Sequence, residues 1–206
     1  MSFRIAVLIS GEGSNLQALL DTVHGTDGIE VVAVAASRGD ARGLERARRA
    51  GVETGVFAIA DHADRAARDR ALAAWLDEQG TDLVVLAGFM EVLTPEFIRA
   101  YEGRLINVHP ALLPAFPGAH AIENALEYGV KVGGVTIHFV DQGIDTGPVL
   151  LQEAFDLPYH RDIEAIEQCV HEIEHRLLPR AVRLIAEGRV HMDSENPRLV
   201  RIDVPD

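Results

Sequence analysis

Phe3-Arg4-Ile5-Ala6-Val7-Leu8-Ile9 is a β-rich apolar run, Ser10-Gly11-Glu12-Gly13-Ser14-Asn15 breaks it, and Leu16, Leu19, Leu20 and Val23 then recur at helical spacing. Strand, glycine-rich turn and helix in that order place backbone N–H groups at a helix N-terminus, which is an anion site. Gly11 and Gly13 permit close backbone approach, and Ser14 and Asn15 add side-chain donors. Two familiar alternatives fail. A dinucleotide fingerprint requires a third glycine where Leu16 stands, and a P-loop requires a Gly-Lys-Ser/Thr that is absent. Taken alone, the segment also reads as a tight turn with no ligand.

The pattern then repeats. Ile29 to Ala36 reads as a second strand, Gly43 to Ala50 as a short helix stopped by Gly51, and Val52 to Ile59 as a third strand interrupted by Gly55. A long helix is expected over His62 to Gln79, with Leu72, Trp75 and Leu76 inward, and Leu83 to Ala87 is an unbroken apolar strand. Thr94-Pro95 starts another helix, with Thr94 as N-cap. Leu105 to Val108 is a further strand, and Ala119 to Tyr128 a helix. Gly133 to Val140 alternates Val135, Ile137 and Phe139 against Thr136 and His138, as a half-buried strand would. Val149 to Leu157 is another strand. Asp162 to Glu187 is a long helix, kinked or split at Pro179, with Ile163, Ile166, Cys169, Val170 and Ile173 on its inner stripe. Val190-His191-Met192 and Leu199 to Ile202 pair as a terminal hairpin. The fold class expected is α/β: a Rossmann-like, mostly parallel sheet with helices on both faces, continued by a mixed C-terminal part. All of it reads as one domain over 1–206, with a phosphate-binding half over 1–100 and a second half over 101–206 carrying the hairpin.

Composition narrows the function. The chain has 206 residues, 48% hydrophobic and 25% charged, as in an ordinary globular enzyme. Its charge is 19 minus 32, or −13, which disfavours non-specific nucleic-acid binding and leaves any phosphate to be held by local donors. No apolar run reaches membrane-spanning length and none resembles a signal-peptide core, so a cytoplasmic protein with no membrane partner is expected. The single Cys169 excludes an internal disulfide.

The chemistry is concentrated in Ile106-Asn107-Val108-His109-Pro110, continued by Ala111 to Gly118. Residues two apart on a strand share a face, so Asn107 and His109 emerge together. Pro110 keeps His109 extended, and three prolines within eight residues make a stiff loop. A carboxamide beside an imidazole suits acyl transfer, one donating to an oxyanion while the other moves a proton. Ligands in parallel sheets sit beyond the carboxyl ends of strands, where Gly11–Asn15, Gly88-Phe89-Met90 and Asn107–His109 all lie. The loop Asp141-Gln142-Gly143-Ile144-Asp145-Thr146-Gly147-Pro148 supplies a carboxylate able to orient the imidazole. Spacing leaves Asp141 and Asp145 both open, and an Asx turn competes for either.

His171-Glu172-Ile173-Glu174-His175 matches H-E-x-x-H. Glu174 and Arg176 put charge where a metalloprotease helix is apolar and buried, and no third ligand follows, so a chance match on a solvated helix is the better reading. No metal is expected.

Four motifs in order, Ser10-Gly11-x-Gly-Ser-Asn-Leu, Leu86-Ala87-Gly88-Phe89-Met90, Asn107-x-His109-Pro110-x-Leu-Leu-Pro114 and Asp141-x-Gly-x-Asp145-x-Gly-Pro148, resemble the 10-formyltetrahydrofolate-dependent formyltransferases over about Phe3 to Gly188. The resemblance implies transfer of the formyl group of 10-formyltetrahydrofolate to the amine of 5′-phosphoribosylglycinamide, in purine synthesis. It implies catalytic roles for Asn107 and for a protonated His109 kept charged by Asp145. It implies that Gly13, Ser14 and Asn15 hold the phosphate, and that Glu174 faces the glycinamide. Arg65, Met90, Glu91, Val92, Leu93 and Asn107 are implied against the folate, and 101–206 is implied as the catalytic and folate-binding half with the terminal hairpin. Glu91 and Ala115 depart from positions open to basic side chains in relatives. Glu12 brings a negative charge into the phosphate loop, and it is expected to face solvent. A homodimer is compatible with this reading.

Other functions are expected to fall away. A formyltetrahydrofolate hydrolase shares the chemistry but ordinarily carries a preceding regulatory domain, whereas the sheet here starts at Phe3. A methionyl-tRNA formyltransferase needs a tRNA-binding domain and a basic surface. A non-catalytic nucleotide- or folate-binding module would lack Asn107, His109 or Asp145, and a nicotinamide dehydrogenase needs the missing glycine. Protein purified without added metal is expected to carry no stoichiometric zinc by elemental analysis; one zinc per chain would revive the H-E-x-x-H motif.

Overall fold

The computed structural model describes residues 2–157 and 162–203, so the outer limits of the domain expected over 1–206 lie outside the described residues. These residues fall into two compact units, one ending at Asn107 and the other beginning at Val108.

The first unit is a parallel sheet. Strands β1 (Phe3–Ile9), β2 (Ile29–Ala36), β3 (Glu53–Val56), β4 (Leu83–Leu86) and β5 (Leu105–His109) run in the order β3-β2-β1-β4-β5. The central strand is apolar because it has no wet face: Ile5 to Ile9 are all fully buried. Helices α1 (Ser14–Thr22) and α2 (Gly43–Arg49) connect β1 to β2 to β3 in one direction. The chain then returns past β1 through α3 (Arg65–Glu78) and reaches β5 through α4 (Pro95–Ala100). Right-handed crossovers in opposite directions put the two helix pairs on opposite faces, and α1 packs with α2 as α3 does with α4. The strand order reverses between β1 and β4, so a crevice opens at their carboxyl ends.

Differences from expectation are local. The third strand is only four residues, with a 3₁₀ turn at Ile59–Asp61 after it. Helix α3 starts at Arg65 rather than His62, because the Asp64 carboxylate accepts the Ala67 N–H at 2.7 Å and caps it there. Thr94 caps α4 as its sequence requires, with Pro95 at the first position.

In the second unit, α5 (Ala121–Tyr128) leads to β6 (Val132–Phe139) and β7 (Val149–Asp156), an antiparallel pair against which α6 (Ile163–Ala186) packs. Strands β8 (Val190–Met192) and β9 (Val200–Ile202) form the terminal hairpin. Two expectations fail here. Strand β6 is buried on both faces from Gly134 to Phe139, because Thr136 and His138 satisfy their polar atoms internally. Helix α6 runs through Pro179 as one helix, so of the kink or split expected there the split does not occur, and Leu177, Leu178, Ala181 and Val182 around it are all buried. Ile163 is exposed and Cys169 only half-buried, so the buried stripe begins at Ile166. Among the described residues no helix is long and apolar enough to cross a membrane.

Gly13 shows how tightly the first turn is made. Its φ is +72° and an added Cβ would lie 2.7 Å from the Gly43 Cα, whereas Gly25 has φ +73° with nothing within 4 Å. Gly25→Ala is expected to cost about 1–2 kcal/mol, the left-handed penalty alone. Gly13→Ala adds an overpacking cost and is expected to reach about 3 kcal/mol or more. Urea denaturation of the two variants checks the difference; equal losses would refute the close contact.

Candidate active site

Within the first unit, the loops at the crevice are tied together by one hydroxyl. Ser10, the first residue after β1, donates its backbone N–H to the Gly88 carbonyl (3.0 Å), and its Oγ accepts the Met90 N–H at 2.8 Å while bonding Ser37 Oγ at 2.7 Å. The glycine loop and the segment after β4 are thereby held side by side. Gly13 is the αL residue before α1, and the first helical bond, Gln17 N–H to Gly13 C=O at 2.9 Å, leaves the amides before it at the helix start. Helix α2 clamps the loop: the Gly43 N–H donates to the Gly11 carbonyl, and Arg46 donates through Nε to the Glu12 carbonyl (2.9 Å) and through Nη1 to Gln17 Oε1 (3.1 Å). Glu12 is exposed and pairs with Arg42 at 2.9 Å, so its charge is turned away and answered. Neither Arg42 nor Arg46 stood out in the sequence, because arginines on a short helix are ordinarily solvated.

The segment after β4 presents Met90 and Val92 to solvent, 72% and 57% exposed, while Leu93 is buried and offers only backbone. Glu91 is half-buried, and Arg65 is exposed at the first position of α3. Asn107 pairs in register with Leu86 on β4.

In the second unit, His109 at the end of β5 is buried with both ring nitrogens facing oxygen. Nε2 lies 2.9 Å from the Phe116 carbonyl, and Nδ1 lies 3.4 Å from Asp145 Oδ2. The same carboxyl oxygen accepts the Gly118 N–H at 2.8 Å. The other, Oδ1, is 3.5 Å from Nε2 of His138, whose Nδ1 lies 2.9 Å from the Phe139 carbonyl. Asp145 is therefore the carboxylate beside His109, held between two imidazoles. Asp141 is spent on its own turn, accepting from Gly143 N–H (3.0 Å) and Thr146 Oγ1 (2.6 Å). The sequence reading missed His138. Its signal was a polar residue on a core strand directly before the acidic loop. The register of β6 against β7 shifts between Ile137 and His138, and such an irregularity re-aims a side chain.

Charge in this group is set by burial against donors. Burial alone would raise the Asp145 carboxyl, but the hydrogen bonds from His138 and Gly118 N–H and the nearby His109 outweigh it, holding Asp145 at about 2. For His109 the balance reverses. Burial is the largest influence and lowers the imidazole from its ordinary value, against the raising effects of Asp145 and the Phe116 carbonyl. That balance works against the charged imidazole that the resemblance implies, because desolvation is larger than the raising effect of the carboxylate. Nε2 faces a carbonyl and Nδ1 a carboxylate, both acceptors, so a ring protonated at both nitrogens finds a partner for each.

Glu174 is buried on α6, which corrects the expectation of a solvated face around His171 and His175. Those two rings stack, 6.0 Å apart and 6° from parallel, and among the described residues no group of three or more His, Cys, Asp or Glu is placed to hold a metal ion.

Residues 3–182 match the family model described as formyl transferase. The chain is 45% identical over 183 residues to the phosphoribosylglycinamide formyltransferase of Mycobacterium tuberculosis, covering 89% of this chain and 85% of that protein. It is 41% identical to the trifunctional purine biosynthetic protein adenosine-3 of Drosophila pseudoobscura pseudoobscura over 98% of this chain, and it spans only 15% of that protein's length. The crystal structure of glycinamide ribonucleotide transformylase 1 from Symbiobacterium toebii superposes with a TM-score of 0.93 at 46% identity, covering 98% of this chain and 94% of that one.

The depressed His109 has a consequence for stability. The unfolded chain binds this proton more readily than the folded one, so the contribution is complete above the ordinary value of 6.5 and declines as pH falls below it. Asp145, at about 2 against an ordinary 3.8, adds a second loss below about pH 4. Urea denaturation at pH about 7.5 and about 5.5 is expected to show a smaller drop for His109→Asn than for the parent; an equal drop would exclude His109 as a source.

Proposed function

Because this chain belongs to the formyl transferase family, we propose that it transfers the formyl group of 10-formyltetrahydrofolate to the amine of 5′-phosphoribosylglycinamide, a step of purine biosynthesis. The observation that carries this reading is a buried His109, two residues after Asn107 at a strand end, with the Asp145 carboxylate 3.4 Å from Nδ1. The first unit fits the two substrates. The Gly13-Ser14-Asn15 turn at the start of α1, with Arg46 packed behind it, suits the ribose phosphate despite the net charge of −13. The exposed Met90 and Val92 and the irregular backbone around them suit a flat heteroaromatic ring with polar edges. Arg65, at the first position of α3, suits the acidic tail of a folate; in the second unit, buried Glu174 on α6 suits the glycinamide.

The folate supplies the formyl group; the chain supplies geometry and protons. Asn107 donates an amide hydrogen to the oxyanion that develops as the amine attacks the formyl carbon. His109 takes up a proton from solvent as it becomes charged opposite the ionised Asp145, and it passes a proton to the departing folate nitrogen. The proton lost by the amine leaves to solvent. A neutral ring that is charged only as it acts fits a buried imidazole facing a carboxylate. A cytoplasmic enzyme, with a homodimer left open, goes with this reading.

Purified protein with 10-formyltetrahydrofolate is expected to release tetrahydrofolate only when the ribonucleotide is added. Release without it would mark a hydrolase, and no release either way would overturn the enzyme reading. His109→Ala is expected to lower turnover by roughly 10²–10⁴-fold while the ribonucleotide still binds by calorimetry; weakened binding with intact turnover would refute its role.

A further inference from the structure

Arg68 is the largest fully buried side chain among the described residues, and neither the acyl-transfer chemistry nor the phosphate loop uses it. It lies in α3 beside Asp69, with side chains 0% and 2% exposed, and its Nε meets Asp69 Oδ1 at 2.5 Å. The pair faces a single target, the segment 88–94. Arg68 Nη2 donates to the Val92 carbonyl at 3.3 Å, the guanidinium carbon sits 5.6 Å from the centre of the Phe89 ring, and Asp69 Oδ2 accepts the Thr94 N–H at 2.6 Å. Three points on seven residues are thus gripped from the inside, while Met90 and Val92 turn their side chains outward.

Stability does not account for this arrangement. A buried ion pair is often replaceable by apolar residues of similar volume without loss, and buried Leu93 already anchors the segment in the apolar way. Arg68 Nη1 adds a further cost, since it is buried with no hydrogen-bond partner among the described residues. What a charged fork supplies and a leucine does not is direction: it fixes where the Val92 carbonyl and the Thr94 amide point.

We propose that Arg68 is a positioning residue for folate recognition, fixing the backbone of 88–94 that meets the folate, with its spare Nη1 donor taken up by a carbonyl of that segment when the folate is seated. This rests on the reading of 88–94 as the folate-facing segment. A ligand tightens a loop only through an interaction that differs between the two states, and an unmet buried donor is such a difference.

Two variants separate positioning from packing. Arg68→Lys keeps a charge for Asp69 with an ammonium that does not span both Asp69 and the Val92 carbonyl. The double variant Arg68→Met/Asp69→Asn removes both charges together and leaves a side-chain oxygen for Thr94. In each, the KM for 10-formyltetrahydrofolate is expected to rise about tenfold or more, with the ribonucleotide KM and kcat within about threefold of the parent. Tetrahydrofolate is expected to slow amide hydrogen exchange across 88–94 in the parent and not in the variants. An unchanged folate KM, or both KM values and kcat moving together, would overturn the proposal. The parent is measured first: if it shows no folate turnover and no protection of 88–94 by tetrahydrofolate, the folate reading itself fails and takes this proposal with it.

Discussion

A carboxylate stays ionised inside a protein only where donors meet its oxygens, and the second unit is arranged to meet that condition at Asp145. Its oxygens are met from three separate stretches: Gly118 in the proline-rich loop, His109 at the end of β5, and His138 near the end of β6. Two residues accept left-handed backbone to make this possible, Asp145 at φ +52° and Phe116 at φ +53°. Each costs on the order of 1–3 kcal/mol, and such strain persists only where the surroundings over-determine it. One strained residue brings the carboxylate in. The other brings the carbonyl that occupies His109 Nε2. The His109–Asp145 pair is therefore a property of the loops around it as much as of the strand that carries the histidine.

The proposed function sets the first unit a different problem, how a chain of strongly negative charge would hold an anion. What it offers is backbone rather than net field. The reversal of strand order between β1 and β4 opens the crevice, and Ser10 pins the loops on its two sides with one hydroxyl. Gly13 gives the turn its hand, while Arg42 and Arg46 on α2 compensate Glu12 and brace its carbonyl. Opposite them, the buried Arg68–Asp69 pair orients the segment that follows β4. Rigid strands thus end in loops that polar contacts hold in place, while the apolar side chains of Met90 and Val92 stay outside.

Much of the fold was legible because its signals are local. The apolar runs of β1, β2 and β4, the Thr94-Pro95 start of α4 and the glycine after each helix can be read within a few residues. The errors share a cause, which is reading burial from residue type. Thr136 and His138 look like a wet face and Glu174 like part of a charged surface, yet all three are buried. Ile163 errs the other way, apolar at the correct period but exposed where α6 begins. Polar groups go inside when partners exist, and partners are not visible from composition.

By itself the sequence determined the alternation of strand and helix, the glycine turn after β1 and the emergence of Asn107 and His109 from one strand end. Periodicity and turn chemistry act over neighbouring residues and need no distant partner. Only the tertiary structure decided which aspartate stands beside the imidazole and how burial acts on that imidazole. Asp141 and Asp145 have the same chemistry in the same loop. They differ in that one bonds within its own turn, whereas the other reaches Gly118, 27 residues away, and both histidines. The burial that lowers His109 below its ordinary value is a sum over everything packed around it, and no stretch of sequence contains that sum.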